Sequence, residues 1–349
     1  MLCGYPIEAI ADNWLHDCLF KILEDIHAGL WLKKRGLHWP ECIPEKWRDQ
    51  LKGRPGLKKR LRSYQIAFGK IDLSQKAKVS AALQQQNDIE GLLSCNSNCD
   101  SLQNLPTAIQ RPIKNLFEFA FGLLSELGIR DAQYKIIWKG THKHICPFCG
   151  YEFFSFPGSP REDEDHFLAE SRYTFAAVNL KNLVPMGTRC NRSYKLAQDV
   201  LFAPDGTRRR AFNPFGKNKT SICLENSKPF GANDGRLPKW EIDFVPASPE
   251  CETWDQIFHI RERYCDDILN PQFSEWLRPF VNWWKEDIIV ETITETVLLE
   301  GLARYLHHLV LMEMTGIDFL RVPVFSMLLK HCTHGDQRLI KFLLLLLRA

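Results

Sequence analysis

The sequence predicts an α+β protein in which mainly helical regions flank a short mixed core. Three observations predict it. Apolar residues recur at helical spacing towards both ends; the middle of the chain loses that period and becomes rich in His, Cys, Pro and Gly; and strand-like residues gather at Trp240 to Val245. The resulting division is a helical region over 1–133, a core over 134–212, a loop-rich segment with a short strand over 213–252, and a helical region over 253–349.

Taken in order, Ile7, Ile10, Trp14, Cys18, Ile22 and Ile26 step by three and four, with Leu15, Leu19 and Leu23 widening the stripe, which is the pattern of an amphipathic helix. A second helix is expected from Pro112 to Leu127, with proline in its first turn and Gly128 as its C-terminal cap. Ser94 to Asp100 reads as a loop. The segment Asn213 to Pro238 is punctuated by Gly, Pro and Asn, and the strand-like stretch after it is placed to close a small sheet. Helical periodicity returns beyond Thr253, longest from Ile288 to Met312, with Pro271, Pro279 and Pro323 limiting other segments. Phe342 to Leu347 is only six apolar residues between Lys341 and Arg348, far short of the ~20 that span a membrane, so it is read as a buried helix end and no membrane partner is expected.

Composition is that of a globular protein: of 349 residues, 45% are apolar and 25% charged. A net charge of only +3 excludes a generally polybasic binder, so any nucleic-acid surface must come from local clusters. No basic stretch leading into an apolar core and cleavage site opens the chain, and a reducing cytoplasm is expected. There, twelve unevenly spaced cysteines are better suited to metal or to buried thiols than to disulfides.

The chemistry concentrates between His142 and Lys195. Cys146 and Cys149 form a Cys-x-x-Cys knuckle, whose spacing lets two thiolates face one tetrahedral ion. Asp165 and His166 are adjacent in an acidic segment with Glu162, Asp163 and Glu164, a composition able to attract a hard divalent cation. Asn182 is followed nine positions later by Asn191, which itself follows Cys190. A histidine can take a proton from water near neutral pH, and side-chain oxygens suit Mg²⁺.

These three motifs, in this order over residues 142–200, resemble the HNH, or ββα-metal, endonuclease family in its zinc-knuckle form. The resemblance implies a small ββα core in which His166 is the general base, Asp165 and Asn191 hold Mg²⁺ or Mn²⁺, and Asn182 braces the loop and orients His166. It implies hydrolysis of DNA phosphodiester bonds to 5′-phosphate and 3′-hydroxyl ends, and a structural Zn²⁺. Asn191 stands where the family usually has histidine, a replacement the family accepts. Gly187 stands where a fourth cysteine belongs, so Cys146, Cys149 and Cys190 need a ligand from His144, His142 or Cys223, of which His144 is favoured. The wording from Asp165 to Lys195 also resembles HNH subunits of bacterial antiphage systems of the Septu kind, which implies an ATPase or another defence-system subunit as partner. An RNA-cleaving nuclease and a non-catalytic zinc-supported nucleic-acid-binding or scaffold module are the rival readings.

Basic residues suggest where nucleic acid would lie. Lys58, Lys59 and Arg60 fall in a stretch interleaved with Trp47, Tyr64 and Phe68, while Arg208, Arg209, Arg210, Lys217 and Lys219 follow the core, and Arg192 and Lys195 follow Asn191. A solvated helix face explains the first group nearly as well. Cys95 and Cys99 are read as structural, and His331, Cys332 and His334 as part of a helix cap or loop; His307 and His308 are read as ordinary helix residues.

Overall fold

The computed structural model describes residues 1–30, 37–160, 164–217, 219–231, 238–288, 290 and 292–348. It is rich in helix with two small two-stranded sheets, which is compatible with an α+β class. The chain forms two compact units. One comprises Cys3–His144 and Phe154–Asn218, the other Met1–Leu2, Ile145–Phe153 and Lys219–Ala349. Residues 134–212 are therefore shared between units.

The first unit contains α1 (Trp14–His27), α2 (Arg48–Leu51), α3 (Pro55–Lys70), α4 (Leu73–Asn87), α5 (Ile89–Leu93), α6 (Thr107–Glu126) and α7 (Ile129–Gly140). Leu19 and Ile22 of α1, Leu61 and Tyr64 of α3, and Leu116 and Phe117 of α6 bury the predicted apolar stripes in one core. The stripe from Ile7 to Ile26 is not one helix. It breaks at Asp12 and Asn13, because Asn13 spends its side chain on Asn179 Oδ1 (3.0 Å) and the Leu180 amide (3.0 Å). Likewise α6 starts five residues before Pro112, which sits inside it. Gly128 ends it as expected, at φ 70°, a left-handed conformation glycine adopts without Cβ strain. A reciprocal cap between Asp72 and Gln75 starts α4.

Also in this unit, β1 (Glu164–His166) pairs antiparallel with β2 (Leu183–Pro185), Asp165 opposite Val184. The connecting segment buries Phe175, Ala177, Val178 and Leu180 in the helical core. The sheet is thus seated on α6 by the residues between its strands.

In the second unit β3 (Ser221–Cys223) pairs antiparallel with β4 (Asp243–Val245), within the segment predicted to close a small sheet. Helices α8 (Pro249–Phe258), α9 (Ile260–Arg263), α10 (Asn270–Asp287), α11 (Glu295–Leu311), α12 (Arg321–Thr333) and α13 (Gln337–Arg348) come next. Pro279 does not limit a segment; α10 runs through it. Phe280, Tyr305 and Phe325 pack ring to ring, with centroids 5.0 and 4.8 Å apart about Tyr305. Gly301 is required there, since a Cβ would fall 2.0 Å from the Trp284 ring. Leu343 and Leu347 are buried while Leu345 is 68% exposed, so the C-terminal leucine run is an amphipathic face. No helix of the described residues is long and apolar enough to cross a membrane.

Candidate metal and catalytic centre

The knuckle is a tight turn. Ile145 bridges Phe153, the Cys146 amide donates to Glu152 O (2.8 Å), and the Gly150 amide to Cys146 O (2.8 Å). Its carbonyls are gripped from outside: Trp254 Nε1 donates to Phe148 O (2.9 Å) and Tyr264 Oη to Cys149 O (2.8 Å). Buried Arg263 binds Tyr151 Oη and pairs with Glu152 at 3.3 Å. Cys146, Cys149 and Cys190 are all buried, and their sulfurs lie within 4.8 Å of one another, a group able to hold a metal ion such as zinc. His144 is not in that group. Its ring stacks on Trp138 at 3.6 Å and its Nδ1 faces Trp138 O at 2.7 Å. Cys223 lies in β3 outside the group, and His142 is exposed.

A second cleft, of about 400 Å³, is lined by Asp165, His166, Glu170, Asn191, Arg192 and Lys195 among others. His166 Nε2 lies 2.9 Å from the Ala177 carbonyl. A carbonyl only accepts, so Nε2 carries the proton and Nδ1 is the basic nitrogen. Burial holds the imidazole pKa below its ordinary value, against the Ala177 bond and Asp165, which favour the charged form. The Phe121 ring, 4.7 Å away and tilted 45°, covers it. Glu170 Oε2 stands 3.7 Å from Nδ1, and burial, then Glu118, raise the Glu170 pKa.

Asn191 and Lys195 belong to a π-helical turn, Cys190–Lys195, in which the Leu196 amide donates to Asn191 O at 3.0 Å. The sequence suggests that Lys195 meets nucleic acid, but its side chain is only 1% exposed. Its Nζ lies 2.5 Å from Asp165 Oδ2 and donates to His166 O at 2.8 Å. It holds β1 from below and is not a phosphate contact. Asn182, fully buried, receives the Leu168 amide on Oδ1 (2.7 Å) and donates Nδ2 to Leu168 O (3.0 Å) and Ala176 O (3.3 Å). It clasps the segment that carries Ala177, the carbonyl that orients His166.

Glu162 and Asp163 lie outside the described residues, and of Glu164 only the strand backbone is described. The other basic residues divide. Arg208 also departs from expectation: its guanidinium binds the carbonyls of Leu92, Ser97 (3.3 Å), Leu201 (3.0 Å) and Arg209 (2.8 Å), which makes it a clasp on the 92–97 loop. Arg209 Nη1 donates to Asp199 O and Phe202 O. Arg192 and Arg210 are exposed, as are Lys58 and Lys59, while Arg60 lies over the Phe119 ring at 4.1 Å. Cys95 Sγ contacts Arg209 O at 3.1 Å. His331 and His334 are spent on the carbonyls of Ser227 (2.8 Å) and Lys330 (2.7 Å).

Sequence reasoning misses Glu170. It stands four residues after His166, close to the acidic run, but strand periodicity gives no reason to set it beside the imidazole, and only the turn after β1 brings it there.

Comparison with known proteins yields no match: no family model, no curated protein and no solved structure is significantly similar to this chain.

Proposed function

We propose that this protein is a metal-dependent nuclease of the HNH kind that hydrolyses DNA phosphodiester bonds. One observation carries the reading: His166, tethered through Nε2, presents a neutral basic Nδ1 in a cleft shared with Asp165 and Asn191. The local order of strand, braced loop, strand and helical turn is what a ββα core requires.

Carboxylate and amide oxygens are the donors a hard divalent ion prefers, so the residues present fit Mg²⁺ or Mn²⁺, with Asp165 and Asn191 to hold it. When bound, such an ion neutralises phosphate charge and stabilises the departing alkoxide. The chain does the rest. His166 Nδ1 takes a proton from water, the water oxygen bonds to phosphorus, and the P–O3′ bond breaks with its electron pair leaving on the 3′ oxygen, which solvent water protonates, giving 5′-phosphate and 3′-hydroxyl ends. Lys195 fixes the Asp165 carboxylate, and Asn182 holds Ala176, the residue before the Ala177 carbonyl that meets His166. Zinc on the three cysteines, with a fourth ligand still to be assigned, would serve structure. An ATPase or another antiphage-defence subunit as partner rests on the sequence resemblance, and a pull-down from a host cell tests it.

The test is cleavage of plasmid, single-stranded DNA and RNA by purified protein with Mg²⁺, Mn²⁺ or chelator, beside a folded His166→Ala variant. Metal-dependent DNA cutting lost in the variant is expected. Preference for RNA moves the reading to a ribonuclease on the same site. Nucleic-acid binding with no cleavage, unchanged by His166→Ala, replaces it with a scaffold module.

A further inference from the structure

Beside the catalytic cleft lies a second recess of about 580 Å³, within the range of about 300–1,000 Å³ usual for small-ligand sites. Ala197 lines both, and Ser171 of the cleft is followed by Arg172 of the recess. We propose that this recess is a nucleotide subsite, taking one unstacked nucleotide of a single strand next to the scissile bond. The inference rests on the nuclease reading above.

Its chemistry suits that ligand. Asp199 is satisfied internally: Tyr173 Oη donates to both its oxygens (3.0 and 2.9 Å), the Leu201 amide to one (2.9 Å), and Arg172 pairs with the other at 3.4 Å. Arg209, also in the lining, shares its charge with Asp199 and Asp205, so Arg172 at the rim is the cation an incoming phosphate meets. Arg172 remains 52% exposed at the rim, able to turn a guanidinium edge towards an incoming anion. Phe202, half-buried and backed by the Arg208 guanidinium 5.2 Å from its ring centre, supplies an aromatic surface for a base. A base in duplex DNA is already stacked and paired. The recess therefore admits a nucleotide only from a single strand, a frayed end or an extruded base, and selects strand state without reading sequence.

The experiment is fluorescence anisotropy in magnesium-free buffer, where nothing is cut, using a labelled oligothymidylate and a labelled hairpin duplex of equal charge. Wild type is compared with Arg172→Ala, Arg172→Lys and Phe202→Leu, each checked by circular dichroism. Arg172→Ala and Phe202→Leu should each weaken single-strand binding by about fivefold or more. Duplex binding should change less than about twofold, and Arg172→Lys should recover most of the loss, since it keeps the charge. Equal losses on both probes, no loss on either, or no binding by wild type would overturn the subsite; so would competition by free thymidine monophosphate as effective as the strand itself. If Phe202→Leu fails to fold, the half-exposed Arg172 carries the test. Cleavage without strand preference removes the subsite and leaves the nuclease; strand preference without metal-dependent cleavage removes the nuclease reading instead.

Discussion

The two small sheets invite comparison. Each is a pair of three-residue antiparallel strands, too small to be stable by itself. Each is braced in the same manner by one fully buried polar side chain that grips both the amide and the carbonyl of a single residue across the connection. Asn182 grips Leu168 for β1–β2; Ser227 grips Glu241 for β3–β4, at 2.9 Å from its amide and 3.1 Å from its carbonyl. The difference is cover. β2 is buried throughout, whereas Ser221 and Val245 of the other pair are exposed. Bracing is therefore a structural device common to both pairs, and what sets the first apart is that one of its strands is fully covered.

The largest expected effect sets the strands against each other directly. His166→Ala should lower cleavage about 10²–10⁴-fold, the usual contribution of a general base, while Asp243→Ala on β4 changes it less than about twofold. A comparable loss from Asp243→Ala would break the comparison. Acid provides the next contrast. Buried His16, beside Lys181 just before β2, has its pKa depressed to about 4. The unfolded chain binds that proton below about pH 6.5 and the folded one does not. On the order of 3 kcal/mol, at 1.36 kcal/mol per pKa unit, is then present above pH 6.5 and lost as pH falls towards 4. Denaturant melts of wild type and His16→Phe at pH 7.5 and 4.5 check this: the pH difference should shrink in the variant.

Smaller again, Asn182→Ala should cost about 2–4 kcal/mol, because it strands a buried amide and two carbonyls, and Ser227→Ala about 1–2 kcal/mol for two groups. Hydrogen exchange at Leu168 and Glu241 would report each locally. The smallest effect is Ser221→Ala, expected within about 0.5 kcal/mol in the same melts, as for an exposed strand residue. A larger change would mean that β3–β4 depends on its exposed face.

Much of this is legible in the sequence, and the remainder is hidden for physical reasons. The stripes, the Gly128 cap, the second short sheet and the three cysteines come from periodicity, backbone freedom and spacing, which are local properties. Pro112 and Pro279 mislead because proline removes a single helix bond, and tertiary packing of α6 and α10 outweighs that loss. Lys195 and Arg208 mislead because charge type says nothing about depth; both are turned inward onto backbone carbonyls. Asn13 cannot be foreseen as a helix break, since its partner Asn179 lies 166 positions away.

The π-helical turn at Cys190–Lys195 has a consequence for how this stretch can vary. A π turn holds one residue more than an α turn. Loss of one residue, such as Ser193, would let the segment relax to α spacing and reset the side-chain directions within the turn, which carries Lys195. The exposed side chain of Ser193 constrains the turn less than the presence of its residue does. Here it is the number of codons, more than their identity, that the contact between Lys195 and Asp165 holds fixed.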